Sequence, residues 1–137
     1  MPILAEFAEF VTAQRALLRA RRRLKRQPVG TLATRGDATT APATGSLQRA
    51  EQIARSVVRA ANHGLFRPFC LVRAMAIHDL LERSDIRGSE IRIGVRRRAG
   101  EFAAHAWVRW NDRILGDDPT HVASFTEVDD IRLLGEQ

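Results

Sequence analysis

In this 137-residue sequence, one thiol, one strand-borne histidine and two adjacent acids have the types and spacing for nucleophilic catalysis. Cys70 is the only cysteine. A thiol becomes a useful nucleophile when a base stands nearby and its thiolate is favoured. Cys70 opens the Cys70–Glu82 segment, read as a helix, and free N–H groups at a helix start favour an anion. By itself a lone cysteine is a small buried hydrophobe, so its meaning depends on His105. From Phe102 to Trp110 the chain alternates. Phe102, Ala104, Ala106, Val108 and Trp110 share one face, and Ala103, His105, Trp107 and Arg109 the other. Ala104 and Ala106 leave room beside the imidazole. A third group must accept a hydrogen bond from that ring and fix its tautomer; Asp117 and Asp118 are the acids on the next strand. A two-residue turn at Asn111-Asp112 sets Asp118 opposite His105. A longer loop, or a bulge at Gly116, brings Asp117 round instead. Parity leaves both open.

The elements that must position these groups are legible in the apolar spacing. Ile3, Phe7, Phe10, Val11, Leu17, Leu18 and Leu24 predict an N-terminal helix that Pro28 and Gly30 stop. The stretch from Pro28 to Gly45 reads as a flexible connector. A second helix is expected from Ser46, with Leu47, Ala50, Ile53, Ala54, Val57, Val58 and Ala61 as its stripe and Gly64 as its cap. Leu71, Ala74, Met75, Leu80 and Leu81 are the expected core side of the third. The period then changes to two. Ile91, Ile93 and Val95 mark one strand, Arg98-Ala99-Gly100 a turn, Phe102–Trp110 the next strand and Arg113–Asp117 a short return. A last strand is expected near Ile131, Leu133 and Leu134. Helices first and an antiparallel sheet after make an α+β fold.

The formal charge is +6, and its densest patch is Arg19, Arg21, Arg22, Arg23, Lys25 and Arg26. Clustered cations attract polyanions, but no zinc-finger spacing, RNA-binding signature or phosphate loop accompanies them. A solvated helix face is the expected reading, and a nucleic-acid partner is not. His63 and His78 read as surface or packing residues, His121 as a loop residue without a partner. With one thiolate and no helical histidine pair, neither a metal site nor a cofactor is expected. No apolar run approaches the roughly 20 residues that span a bilayer. Glu6 stands where a signal peptide carries its apolar run, so a cytoplasmic protein is expected.

The segments Cys70-Leu-Val-Arg-Ala74, Ile91-Arg-Ile-Gly-Val95, Phe102-Ala-Ala-His-Ala-Trp-Val108 and Gly116-Asp-Asp118 resemble the lasso-peptide leader peptidases. These belong to the transglutaminase-like cysteine protease superfamily. The resemblance runs from about Ile53 to Phe125. It implies a transglutaminase-like, papain-like core of N-terminal helices on a small antiparallel sheet. It also implies a Cys70–His105–Asp117 triad, Asp118 being the alternative acid; Trp107, which shares His105's face, is expected to line the site or shield it from water, with plain sheet packing as the other reading. The expected layout is a single domain, 1–137, with an N-terminal helix over 1–27, the connector over 28–45 and a catalytic core over 46–137. Ala74 and Arg109 depart from the family pattern, which often has Ser and an acid there. Some relatives carry a fused leader-recognition domain; this chain is short for one. The implied partners are therefore the precursor's leader peptide, a separate leader-recognition protein and the lasso cyclase. Two other readings stand beside this one: a transglutaminase-like acyltransferase using the same triad, and a basic binding module without catalysis.

Overall fold

The computed structural model describes residues 2–26, 46–64 and 69–127. The 28–45 connector and the strand expected near Ile131 lie outside the described residues. In chain order the elements are α1 (Pro2–Arg26), α2 (Ser46–His63), α3 (Cys70–Arg83), β1 (Glu90–Arg98), β2 (Glu101–Trp110), β3 (Arg113–Leu115), α4 (Pro119–Ala123) and β4 (Thr126–Glu127). The four strands form one antiparallel sheet in the order β3-β2-β1-β4, so the fold is α+β.

Alanine sets the helix packing. Ala13, Ala16, Leu17 and Ala20 of α1 are buried against α2 and α3, whereas Phe7 and Val11 are exposed. Of the large apolar residues that predicted the helix, Leu17 lies in this seam and Phe10 and Leu24 pack against it, while Phe7 and Val11 lie outside it. Methyl side chains let helix axes approach closely, and the contacts come from Ile53, Val57, Met75 and Leu80 on the partner helices. Asp79 of α3 fastens the bundle, accepting from Arg19 of α1 at 2.9 Å and from Arg83 at 3.1 Å. Being half-exposed, such pairs contribute about 0–1 kcal/mol each. Gly64 follows α2 without the left-handed backbone of a glycine cap. It is needed because a Cβ there would stand 1.9 Å from Oε1 of the buried Gln14.

Two tight turns fix the sheet register. Ala99 and Gly100, at φ 51° and 80°, join Arg98 to its partner Glu101. Asn111 and Asp112, at φ 49° and 62°, join Trp110 to Arg113. Both are two-residue turns with left-handed backbone, whose twist suits a hairpin. Ile91, Val108, Trp110 and Leu115 turn toward the helices and join their core. The indole N–H of Trp110 is satisfied by the Arg87 carbonyl at 3.0 Å. The opposite face carries Arg92, Gly94 and Arg96 beside Trp107, His105 and Ala103.

Candidate active site

His105 occupies the middle of β2, its partner across the ladder being Gly94 of β1. The glycine is dictated by crowding: a Cβ there would stand 2.8 Å from both Trp107 Cη2 and Phe125 Cβ. Trp107 and Phe125 lie near parallel to the imidazole, with centroids 6.1 and 5.2 Å away. The His121 ring meets it edge-on at 4.9 Å. These contacts leave His105 only 11% exposed. Trp107 therefore shares the imidazole's surroundings, as its alternation with His105 implies.

The acid that reaches His105 is Asp117, whose Oδ2 lies 2.5 Å from Nε2. The hairpin register alone would align Asp118, because the turn is a strict two-residue one. Gly116 breaks that register. It sits at φ +75°, and its missing side chain lets the strand end press against Ile77, Val58 and Ala54. Beyond this kink the two acids take different tasks. Asp117 Oδ1 accepts from the Asp118 N–H at 2.8 Å, while Asp118 Oδ1 caps α4 through the Thr120 N–H at 3.0 Å.

With its Nε2–H donated to a carboxylate, the imidazole keeps Nδ1 as its basic nitrogen. Nδ1 makes no hydrogen bond among the described residues. Cys70 is the first residue of α3, a helix packed on β2, and is partly buried. No side chain caps that helix, so its first N–H groups are not taken by a capping oxygen. The thiol makes no hydrogen bond to His105 among the described residues. The structure thus joins His105, Asp117 and Trp107, and leaves Cys70 unbonded to them.

The α4–β4 segment was not legible in advance. His121, expected to be a loop residue without a partner, lies in the short helix α4 and touches both His105 and Phe125. Arg96 lies 4.4 Å over the Phe125 ring and donates to Ser124 at 2.8 Å, holding this cover in place. β4 is fastened next to it by the buried Arg92, which pairs with Glu127 and Glu90. Arg109 joins the same network through Glu90 and Glu127 at 3.1 and 3.4 Å. The only chemical hint in the sequence was Phe125 and His121 four residues apart, too weak a signal to place them.

His78 faces Ser89 at 2.6 Å inside the fold, where burial pushes its pKa down, against the opposing influence of Glu82 and Asp79. It belongs to packing and lies apart from the His105 cluster. Among the described residues no group of His, Cys, Asp or Glu is gathered as metal ligands would be. No described helix is long and apolar enough to cross a membrane.

No curated protein and no solved structure matches the chain. The family model described as the transglutaminase-like superfamily matches residues 11–129, a span that takes in α3, the hairpin and the aromatic cover. The chain belongs to the transglutaminase-like superfamily, whose members are usually cysteine-dependent enzymes of the protease or acyltransferase type.

Proposed function

We propose that the protein is a cysteine peptidase that removes the leader from a ribosomally made lasso precursor, working with a separate leader-recognition protein. The observation that carries this reading is the His105–Asp117 pair. It engages Nε2 and leaves Nδ1 free on the strand against which the cysteine-bearing helix packs.

In this mechanism His105 Nδ1 takes the Cys70 proton and the thiolate attacks the scissile carbonyl. The imidazolium then protonates the leaving amine as the C–N bond breaks, giving a thioester. His105 next takes a proton from water, whose oxygen attacks the thioester; the acid is released and the thiol reprotonated. Asp117 holds the ring's tautomer throughout, and the uncapped N–H of Cys70 is the oxyanion donor. Thiol–imidazole contacts of this kind commonly tighten only once substrate is bound.

The test combines the protein, a lasso precursor and its leader-recognition protein, with products followed by mass. Leader and core peptides whose masses sum to that of the precursor plus one water are the expected result, lost in Cys70→Ala. Cleavage undiminished in Cys70→Ala would overturn the mechanism, and a product carrying an amine in place of water would make the enzyme an acyltransferase.

A further inference from the structure

Beside the His105–Asp117 pair runs an open groove of about 640 Å³, walled by Arg55, Val58, Arg59 and His63 of α2 and by Gly116, Asp117 and Asp118. Its size is within the usual range for a ligand site, roughly 300–1,000 Å³. Arg55, Arg59 and His63 recur every fourth residue and therefore form a single line along the helix. Val58 and Gly116 close together at the apolar part of the wall, where a Cβ on Gly116 would come within 3.4 Å of Val58 Cγ2.

The two walls differ in what they leave unused. Asp117 spends one oxygen on His105 and the other on the Asp118 N–H, and Asp118 is committed to its helix cap. Arg55 and Arg59 have no hydrogen-bond or ion-pair partner among the described residues, although the other arginines of the helix and hairpin edge, Arg49 and Arg113, are both paired with glutamates. The groove thus presents two unmatched guanidinium groups across from two acids, of which Asp117 has both oxygens engaged and Asp118 has one. A guanidinium offers paired donors that fit a carboxylate side by side.

We infer that this groove is a subsite for an acidic side chain of the peptide substrate, with Arg55 and Arg59 as its specificity-determining residues. The inference rests on the peptidase reading for the identity of the substrate, but not for the binding itself. A substrate carboxylate held on α2 fixes the peptide beside Asp117 and hence next to His105. Val58 accommodates the methylene stem of that side chain.

The binding is read without catalysis. Capped acetyl-glutamate methylamide and acetyl-glutamine methylamide are titrated into the full chain, and backbone amide shifts are followed by NMR. The glutamate probe is expected to move the amides of Arg59, His63 and Gly116, and the glutamine probe to leave them. Arg55→Gln/Arg59→Gln is expected to weaken the glutamate response by roughly fivefold to tenfold, as two exposed charge pairs would, and added salt should do likewise. Equal shifts from both probes, or an unchanged response in the double variant, overturn the subsite. With precursor, the double variant should raise KM and hold kcat; an unchanged KM overturns the link to substrate. Failure of Cys70-dependent cleavage, by contrast, would remove the peptidase reading and leave the probe result standing.

Discussion

Asp117 Oδ2 lies 2.5 Å from His105 Nε2, while its neighbour Asp118 turns away to cap α4. Two adjacent carboxylates thus do different work, one on the imidazole and one on a backbone N–H. What separates them is a single left-handed residue, Gly116.

Substitutions should therefore divide cleanly. Asp117→Asn puts an amide, which can donate as well as accept, where an acceptor-only carboxylate fixes the His105 tautomer, and kcat is expected to fall about 10²–10⁴-fold, the usual worth of a correctly held acid–base group. Asp118→Ala costs a helix cap, about 0.5–2 kcal/mol of stability, and should leave kcat near wild type. Parallel rate and urea-unfolding measurements on both variants check the division. Equal losses of activity would contradict it.

Gly116 and Gly100 offer a controlled comparison, since both are left-handed, at φ +75° and +80°. A methyl group on Gly100 meets nothing within 4 Å, so Gly100→Ala carries the backbone cost alone, about 1 kcal/mol. On Gly116 it would also stand 2.7 Å from Ile77 Cδ1, and overpacking adds roughly 1–3 kcal/mol. Gly116→Ala should be the less stable protein and also the less active one, because the kink delivers Asp117. A Gly116→Ala protein as stable and active as Gly100→Ala would refute this.

His121 is exposed, yet its ring edge is set against His105. It acts as a positioning residue: without it the imidazole gains freedom to tilt away from Asp117. His121→Ala is expected to lower kcat about tenfold, since small misplacements of catalytic groups are costly. KM and the thermal midpoint should change little. His121→Phe keeps an edge-on ring and should recover most of the loss. Failure of phenylalanine to rescue would point to a proton-transfer role in place of packing.

The sequence carried the parts of the fold that depend on local rules. Alternation marked β1 and β2, the Asn111-Asp112 turn set the hairpin, and the helix start at Ser46 followed from an end signal. Less visible were features in which tertiary contact overrides local pattern. In α1 the buried seam is alanine around the single large residue Leu17, so exposed residues such as Phe7 carried part of the periodicity without making the contacts. His105 and its alternation with Trp107 could be read directly, but the choice of Asp117 depended on a kink that parity could only leave open. The α4–β4 cover is beyond local reading altogether, because its five-residue helix and two-residue strand are held by Arg92, Arg96 and Phe125 meeting across the sheet.

His78 gives the fold an acid sensitivity of predictable sign. Its ring is held against the fully buried Ser89, and burial lowers its pKa below the ordinary 6.5. The unfolded chain therefore binds a proton more readily than the folded one, and stability rises with pH across that interval. The contribution is complete above the unfolded value and is lost as pH falls from there through the folded value. Urea midpoints measured from about pH 8 down to about pH 5, above the ordinary carboxylate range, should fall toward acid. Replacing both partners, His78→Leu with Ser89→Ala, removes the titrating group without stranding a buried hydroxyl. The double variant should keep a flatter profile over that interval. Identical slopes in wild type and double variant would show that His78 does not set the acid limb.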